Sequence, residues 1–516
     1  MSSLLRVEHL TKVYSNGFVA NKDINFAVEP SEIHALVGEN GAGKTTLMRI
    51  LFGMEDFQGG SIYIQEKPIV PKSPLDAIGH GIGMIHQHFM LVPSLSVAEN
   101  IVLGMEPVKG GFFDYEEAVR ATEETAKKYR FDDLNVRSKV ADISVGSMQK
   151  VEILKALFRG AKVLIMDEPT AVLTPQETRE LFEQLRRLKE QGHSIIFISH
   201  KLEEIMELCD RVTILRKGEC LGTYDIQDMT QESISRLMIG RDVELKFARE
   251  THDTGNDVLK VQNLIVVGDD GKRKVDNVSF HVQRGEVVGI AGVEGSGQSQ
   301  LASAIAGSGE YHYGSVVLND LEVSGQSVRS MREKGMAYIP EDRMKDGATV
   351  NQSVRDNIIA DRYYDPKFRK GIFLNRKAID EFVNRCIKDF EIACDDADQP
   401  VRMLSGGNIQ KVVVAREFTS GCNFILAEQP TRGIDVGTTE MIRRRIISMS
   451  HENQVGTLLI SADLNELLEV SDRILVMYKG KITASFRNME EVNEEILGEY
   501  MLGVKKMSEE EMEGQA

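Results

Sequence analysis

Cysteine is scarce and unpaired. Cys209, Cys220, Cys386, Cys394 and Cys422 are the five in 516 residues, and no two form a C-x-x-C pair. An odd number of thiols without metal spacing argues against a disulfide framework or a cysteine metal site, and implies reduced thiols in a cytosolic setting. Long apolar runs are missing as well. None approaches the ~18 residues a spanning helix needs, and no N-terminal stretch reads as a signal peptide, so any role at a membrane is expected to come through partner subunits. Positive charge is in deficit: 62 Lys and Arg stand against 79 Asp and Glu, for a net charge of −17. Binding a phosphate backbone needs a concentrated basic surface, so the deficit argues against a nucleic-acid partner while leaving room for a local basic patch.

What the chain has in abundance is repetition. Gly38-Glu-Asn-Gly-Ala-Gly-Lys44-Thr45 matches the phosphate-loop pattern G-x-x-x-x-G-K-[ST]. Gly292-Val-Glu-Gly-Ser-Gly-Gln298-Ser299, 254 residues later, keeps every glycine and replaces the lysine with Gln298. The length allows two to four domains, and the repeat narrows this to two similar halves. The expected boundaries are 1–240 and 258–503, joined by a polar linker at 241–257 and followed by an acidic, frayed tail at 504–516.

Each half repeats the same order of elements. Short apolar runs, Ile33 to Val37 and Val287 to Ala291, end at glycine, as a buried strand feeding a nucleotide-binding turn does. Helices are expected from Lys44 to Phe52 and from Gln298 to Ala306, and charged segments with helical spacing at 113–142 and 374–400. Buried strands follow at Val163 to Asp167 and Phe424 to Glu428, then at Ser194 to Ser199 and Thr457 to Ser461. Both halves close on Asp-Arg, an apolar run and Lys-Gly, at 210–218 and 472–480. Strands alternating with helices imply an α/β domain with a mostly parallel core sheet, made twice.

The first half carries complete chemistry. Glycines let backbone N–H groups turn onto phosphates at a helix N-terminus. The expected cradle is Gly38, Glu39, Asn40, Gly41, Ala42, Gly43, Lys44, Thr45 and Thr46, with Lys44 reaching the β- and γ-phosphates of ATP and the Thr45 hydroxyl on Mg²⁺. Asp167 and Glu168 end a buried strand: Asp167 would hold Mg²⁺ through water, and Glu168 would act as general base or position the water. Alone, acids at a strand end mark only a strand end; after a phosphate loop they gain meaning. His200 ends the next strand, where it would bond the γ-phosphate and orient Glu168, or be a structural histidine. Gln87 would contact Mg²⁺ and the attacking water; its neighbours His86 and His88 lack a third metal ligand at suitable spacing. Tyr14 either stacks on adenine or is an ordinary surface tyrosine.

Leu404-Ser405-Gly406-Gly407-Asn408-Ile-Gln410-Lys411 resembles the signature of ABC-transporter ATPases, usually Leu-Ser-Gly-Gly-Gln. With both phosphate loops, both acidic strands and Gln87, the resemblance spans nearly the whole chain. It implies two tandem ABC-type ATPase domains, each with a mostly parallel core sheet, an antiparallel β subdomain and a helical subdomain. It also implies head-to-tail pairing, in which each ATP lies between the phosphate loop of one half and the signature of the other. The first loop then receives Ser405, Gly406 and Gly407, and Asp435 from Thr431-Arg-Gly-Ile-Asp435, which resembles the family's D-loop.

Sorted this way, the departures collect in one place. The second loop has Gln298 for lysine, Glu341 at the place of Gln87, Glu428 for Asp167 and Gln429 for Glu168, with Ser461 or Ala462 at the histidine position. Its partner signature, Ile143-Ser144-Val145-Gly146-Ser147, has lost a glycine, its D-loop position is Thr174, and Gly268 stands at the place of Tyr14. Independent decay would scatter losses over both sites. The expectation is one hydrolysing site and one that binds nucleotide without turnover.

Two fused, unequal ATPase halves resemble the energising subunit of bacterial importers for simple sugars and nucleosides. Tyr338-Ile-Pro340-Glu341-Asp342-Arg343 and Glu428-Gln429-Pro430-Thr431-Arg432-Gly433-Ile434-Asp435 are similar to segments of those proteins. The stretch from Met84 to Leu103, together with Gln298, is most similar to nucleoside importers that use lipoprotein binding proteins, with ribose- and galactose-type importers next. The resemblance implies two integral membrane permease subunits contacted on their cytoplasmic side, a substrate-binding lipoprotein contacted indirectly, and a peripheral place on the cytoplasmic face of the cell membrane. Soluble twin-cassette ATPases that act on ribosomes are the other class; they generally keep both glutamates and both signatures and have a long charged linker. A non-hydrolysing scaffold would require both sites to be ruined.

Overall fold

A computed structural model describes residues 3–240 and 254–514, apart from 16, 40, 87, 88, 132, 171, 172, 200, 269, 310 and 488–491. The chain divides into two compact units, Met1–Val243 and Glu244–Ala516. In the first, six strands lie in the order Glu219–Asp225, Arg211–Arg216, Ile33–Val37, Ser194–Ile198, Val163–Asp167, Ile82–Ile85. Every pairing is parallel except the outermost, between Arg211–Arg216 and Glu219–Asp225. The second unit repeats it with Lys481–Phe486, Arg473–Tyr478, Val287–Ala291, Gly456–Ile460, Phe424–Glu428 and Met336–Ile339. The loop-feeding strands Ile33–Val37 and Val287–Ala291 are buried at all five positions, as a strand covered on both faces requires. Each unit adds a four-stranded antiparallel sheet, led by Leu5–Val13 with Val19–Val28 and by Asp257–Val267 with Arg273–Gln283.

The repeated Asp-Arg and Lys-Gly pairs acquire a physical role here. Asp210 Oδ2 accepts the backbone N–H of Ile33 at 2.9 Å, and Asp472 Oδ2 that of Val287 at 2.7 Å. Each fixes the start of a loop-feeding strand. The next residue pairs with a buried glutamate on that strand's approach: Arg211 Nε with Glu32 at 2.7 Å, Arg473 Nε with Glu286 at 2.9 Å. Lys217 and Gly218, like Lys479 and Gly480, all have positive φ, which a tight hairpin turn with the right twist demands. Those turns brace the phosphate loops: Gly218 N–H donates to Ala42 O at 3.2 Å, and Gly480 N–H to Ser296 O at 2.9 Å.

Three stretches differ from the sequence expectation. The helical spacing over 113–142 and 374–400 yields α-helices at Tyr115–Tyr129 and Arg376–Asp389, ended at Arg130 and Phe390, with a single 3₁₀ turn at Val140–Asp142 beyond the first. Each is preceded by a two-stranded hairpin, Val108–Lys109 with Phe112–Phe113 and Arg369–Lys370 with Phe373–Leu374. The stretch at 504–516 is not frayed throughout. Met507 N–H bonds Thr483 O at 3.0 Å, its side chain packs on the core, and a short helix runs Glu509–Gly514. Within 254–257, part of the expected linker, Gly255 N–H bonds Arg284 O at 2.8 Å, so the second unit's hydrogen bonding has already begun.

Candidate active site

The first phosphate loop leaves the sheet between its neighbours and is held by backbone contacts a side chain would break. A Cβ on Gly43 would lie 2.3 Å from Ala20 O, and one on Gly38 2.4 Å from Leu215 O. Gly43 has φ 98° and caps the helix Lys44–Leu51 with no side-chain hydrogen bond. As a glycine cap it offers no side chain to the first-turn N–H groups, and these are the groups a phosphate takes. Asn21 Nδ2 fixes the Gly43 carbonyl at 3.1 Å. The Lys44 ammonium folds back over the loop onto Gly38 O and, at 3.1 Å, Glu39 O.

Asp167 and Glu168 reach this loop from the end of the neighbouring strand but one. Burial first, then the adjacent negative charge of Glu168, pushes the Asp167 carboxyl up to about 6, opposed by Lys44 and Arg49. The carboxylates at this buried strand end, with the exposed Thr45 hydroxyl, are hard oxygen donors whose chemistry fits a divalent ion such as Mg²⁺. Glu168 itself has φ 49°, and its N–H bonds Ile198 O at 2.9 Å. Tyr14 shares a hydrogen bond with Thr46 Oγ1 at 3.3 Å, stacks on Phe18 and carries Lys12 Nζ 5.1 Å above its ring, so it lies against the loop helix. Asn40, Gln87 and His200 lie outside the described residues. The segment after Gln87 is anchored by buried Glu152, whose carboxylate accepts Met90 N–H at 2.6 Å, and by Lys155, which donates to Met90 O at 3.0 Å.

The second loop has the same frame and other chemistry. A Cβ on Gly297 would fall 2.0 Å from Lys274 O, and the Gln298 amide lies so close to Gly292 that a Cβ there would sit 2.3 Å from Nε2. Gln298 thus occupies its loop as Lys44 occupies the first, without the charge. At the strand end, Tyr338 Oη donates to Glu428 Oε2 at 2.9 Å, and Ser299 Oγ to Glu341 Oε2 at 3.4 Å. Burial raises the Glu428 carboxyl, and burial with the Glu428 charge raises the Tyr338 phenol. Gln429 repeats the backbone of Glu168, with φ 47° and its N–H on Ile460 O at 2.8 Å, while its side-chain oxygen accepts Ala462 N–H at 3.1 Å.

Matching contacts resolve the histidine register. Lys201 N–H bonds Ser199 Oγ at 3.0 Å and Asp463 N–H bonds Ser461 Oγ at 3.1 Å, so Ser461 corresponds to Ser199 and Ala462 to His200.

The signature lies at the start of the helix Gly406–Phe418, capped by Ser405. A Cβ on Gly406 would meet the Arg343 guanidinium at 2.8 Å, and one on Gly407 would meet Asp435 Oδ2 at 2.8 Å. Arg343 also donates to Arg432 O at 2.7 Å and Gly433 O at 3.3 Å. It therefore ties the segment after Glu341 to the signature and the D-loop. Tyr338 and Arg343 were not singled out as site residues; the 254-residue offset places them where the first half has Met84 and Phe89, which is the signal that finds them.

A profile described as ABC transporter matches residues 21–171 and 275–432. The glucose import ATP-binding protein of Haloferax volcanii is 40% identical over 531 residues, covering 97% of this chain and 96% of that one. The guanosine import ATP-binding protein of Bacillus subtilis is 40% identical over 503 residues, with 98% of each chain covered. The nucleoside import ATP-binding protein of Lactococcus lactis is 39% identical over 480 residues, covering 93% and 94%.

Proposed function

This chain belongs to the ABC transporter family, and from that premise we propose that it energises an importer whose cargo is a nucleoside, hydrolysing ATP at one of two unequal sites. The observation that carries the inequality is the strand-end pair: Asp167-Glu168 in one half, Glu428-Gln429 in the other, on the same backbone. In the first site, the N–H groups of the Gly38–Thr46 cradle and the Lys44 ammonium take the phosphates, and Glu168 draws a proton from the attacking water. Thr45, Asp167 and Gln87 would hold Mg²⁺, which when bound offsets the phosphate charge. Head-to-tail pairing, which the family resemblance implies, would bring Ser405, Gly406, Gly407 and Asp435 of the second half to that site. In the second site, Gln298 and Gln429 bind without turnover.

The segments following Gln87 and Glu341 would grip two membrane permease subunits from the cytoplasmic side, with a substrate-binding lipoprotein engaged indirectly. No helix among the described residues is long and apolar enough to cross a membrane, which accords with a peripheral place on the cytoplasmic face. Nucleoside cargo is supported by the Met84–Leu103 stretch, by Gln298 and by the guanosine and nucleoside relatives. A sugar is the second reading, favoured by the equal identity to the glucose relative. In a strain lacking this chain, restoring it should restore uptake of labelled nucleosides, and the Glu168→Gln form should not. Restored uptake of glucose or ribose alone would move the cargo to the second reading; full uptake with Glu168→Gln would overturn the assignment of the hydrolysing site.

A further inference from the structure

The hairpin ahead of the helix Arg376–Asp389 joins an exposed apolar tip to a run of basic residues on an acidic chain. Its strands pair Arg369 with Leu374 and Lys370 with Phe373. Gly371, at φ 64°, opens the two-residue turn, and a side chain there would meet nothing within 4 Å. At the tip, Ile372 is 85% exposed, Phe373 73% and Leu374 50%. From 366 to 379 the sequence is Pro-Lys-Phe-Arg-Lys-Gly-Ile-Phe-Leu-Asn-Arg-Lys-Ala-Ile, with five basic residues and no acid. Lys367 pairs with Asp365, but no described carboxylate lies within ion-pair distance of exposed Arg369, Lys370, Arg376 or Lys377.

The hairpin is presented on a firm base. Phe368 is buried and packs on Phe382, with ring centroids 5.2 Å apart, and Asn375 N–H bonds Phe368 O at 2.8 Å to close the stem. Burying the apolar tip in a neutral core would leave four cations unmatched, and leaving it in water exposes three large apolar side chains. An interface that is apolar inside and anionic at its surface satisfies both.

We propose that this hairpin is a lipid contact: Ile372, Phe373 and Leu374 enter the headgroup region of an anionic bilayer, while Arg369, Lys370, Arg376 and Lys377 meet the lipid phosphates. The first-half hairpin supplies the contrast. Its turn, Gly110-Gly111, presents Phe112 at 81% exposure, but only Lys109 is basic and Glu106 and Asp114 flank it. It has the apolar tip without the charge.

The full chain contains no tryptophan, so a single Ile372→Trp substitution gives a clean emission signal. With vesicles of phosphatidylglycerol and phosphatidylcholine the emission should shift to the blue and be quenched by brominated acyl chains. The response should fade in high salt and be lost when Arg369 and Lys370 are both changed to Gln, with ATPase activity unaltered. Phe112→Trp in a parallel chain should show no preference for the anionic vesicles. Water-like emission from Ile372→Trp on anionic vesicles overturns the proposal, as does an equal response on pure phosphatidylcholine. A shift seen only when detergent-solubilised permease subunits are added also overturns it, by making the occupant a protein. The vesicle measurement requires no transport, so its failure leaves the importer reading standing.

Discussion

Strands Val163–Asp167 and Phe424–Glu428 leave their sheets alike: Glu168 and Gln429 hold φ 49° and 47°, and each N–H bonds the next strand, at Ile198 or Ile460. A non-glycine residue in this left-handed region carries strain. The second half shares the strained backbone without the carboxylate, so the conformation does not depend on a proton-transfer group at that position. The charges around it have diverged. Burial raises both carboxyls; the neighbouring Glu168 charge adds to this at Asp167, whereas Glu428 precedes neutral Gln429 and accepts the Tyr338 hydroxyl at 2.9 Å. One strand end carries two adjacent carboxylates, and the other one carboxylate that accepts a tyrosine hydroxyl and is followed by an amide.

The comparison breaks most sharply at the base itself. Glu168→Gln makes the first half resemble the second and should lower ATP turnover by ~10²- to 10⁴-fold, the usual cost of losing a general base. Gln429→Ala should leave most of the rate. Steady-state phosphate release from the two variants decides it: equal losses would mean that turnover does not belong to the first loop.

The frame of this contrast is legible in the sequence, and much of its detail is not. Apolar runs bounded by glycine gave Val287–Ala291 and the helix Gln298–Ala306 to the residue, because burial on both faces and a phosphate loop leave little freedom in where such elements end. Spacing failed over 113–142 and 374–400, where helical periodicity continues through residues that the caps at Arg130 and Phe390 turn away. The hairpins ahead of those helices are hidden for a related reason, since exposed apolar residues mimic core ones in any pattern count. Tyr338 and Arg343 escaped because each works across 90 residues or so of chain, on Glu428 and Gly433, and such pairings are set by the fold. The role of the recurring Asp-Arg pair was invisible for the same reason, although its repetition was plain.

A smaller effect tests the unequal signatures. Gly407→Ala would push a Cβ to 2.8 Å from Asp435 Oδ2 and Gly146→Ala would push one to 2.7 Å from Glu177 Oε1. The local crowding is similar, but only Gly407 belongs to the proposed hydrolysing site. Turnover should fall about tenfold for Gly407→Ala, short of the ~10²–10³ lost when a donor is removed outright, and stay near the parent value for Gly146→Ala. Matching losses would argue that both signatures serve the same chemistry.

Asp167 offers a thermodynamic test. Its carboxyl is raised from 3.8 to about 6, so the folded state holds the extra proton between those values and loses stability as pH climbs through them. Without nucleotide or Mg²⁺, the ionised carboxylate should cost the folded state ~2–3 kcal/mol near neutrality. Asp167→Asn should therefore abolish turnover yet raise the melting temperature of the first unit by about 5 °C at pH 7.5. The gain should shrink to roughly half near pH 5, midway through the titration window. A constant gain across that range would mean that Asp167 does not titrate there.

The two D-loop positions differ least in energy and still discriminate. Thr174 caps the helix Pro175–Glu190 through a reciprocal box: its hydroxyl donates to Glu177 Oε2 at 3.0 Å and accepts Glu177 N–H at 3.3 Å, while Gly146 N–H uses the other carboxylate oxygen at 3.2 Å. Asp435 caps Val436–Ile447 by accepting Thr438 N–H at 2.8 Å, and its own carboxylate is the one that crowds Gly407. Both halves thus set a carboxylate against the second signature glycine, but the first draws it from inside the helix and the second from the cap. Losing either cap costs ~1 kcal/mol, so Thr174→Ala and Asp435→Ala should melt a few degrees lower by similar amounts. Only Asp435→Ala should also slow ATP turnover, because only that cap is assigned to the hydrolysing site; equal turnover in the two variants would reduce the D-loop carboxylate to a helix cap.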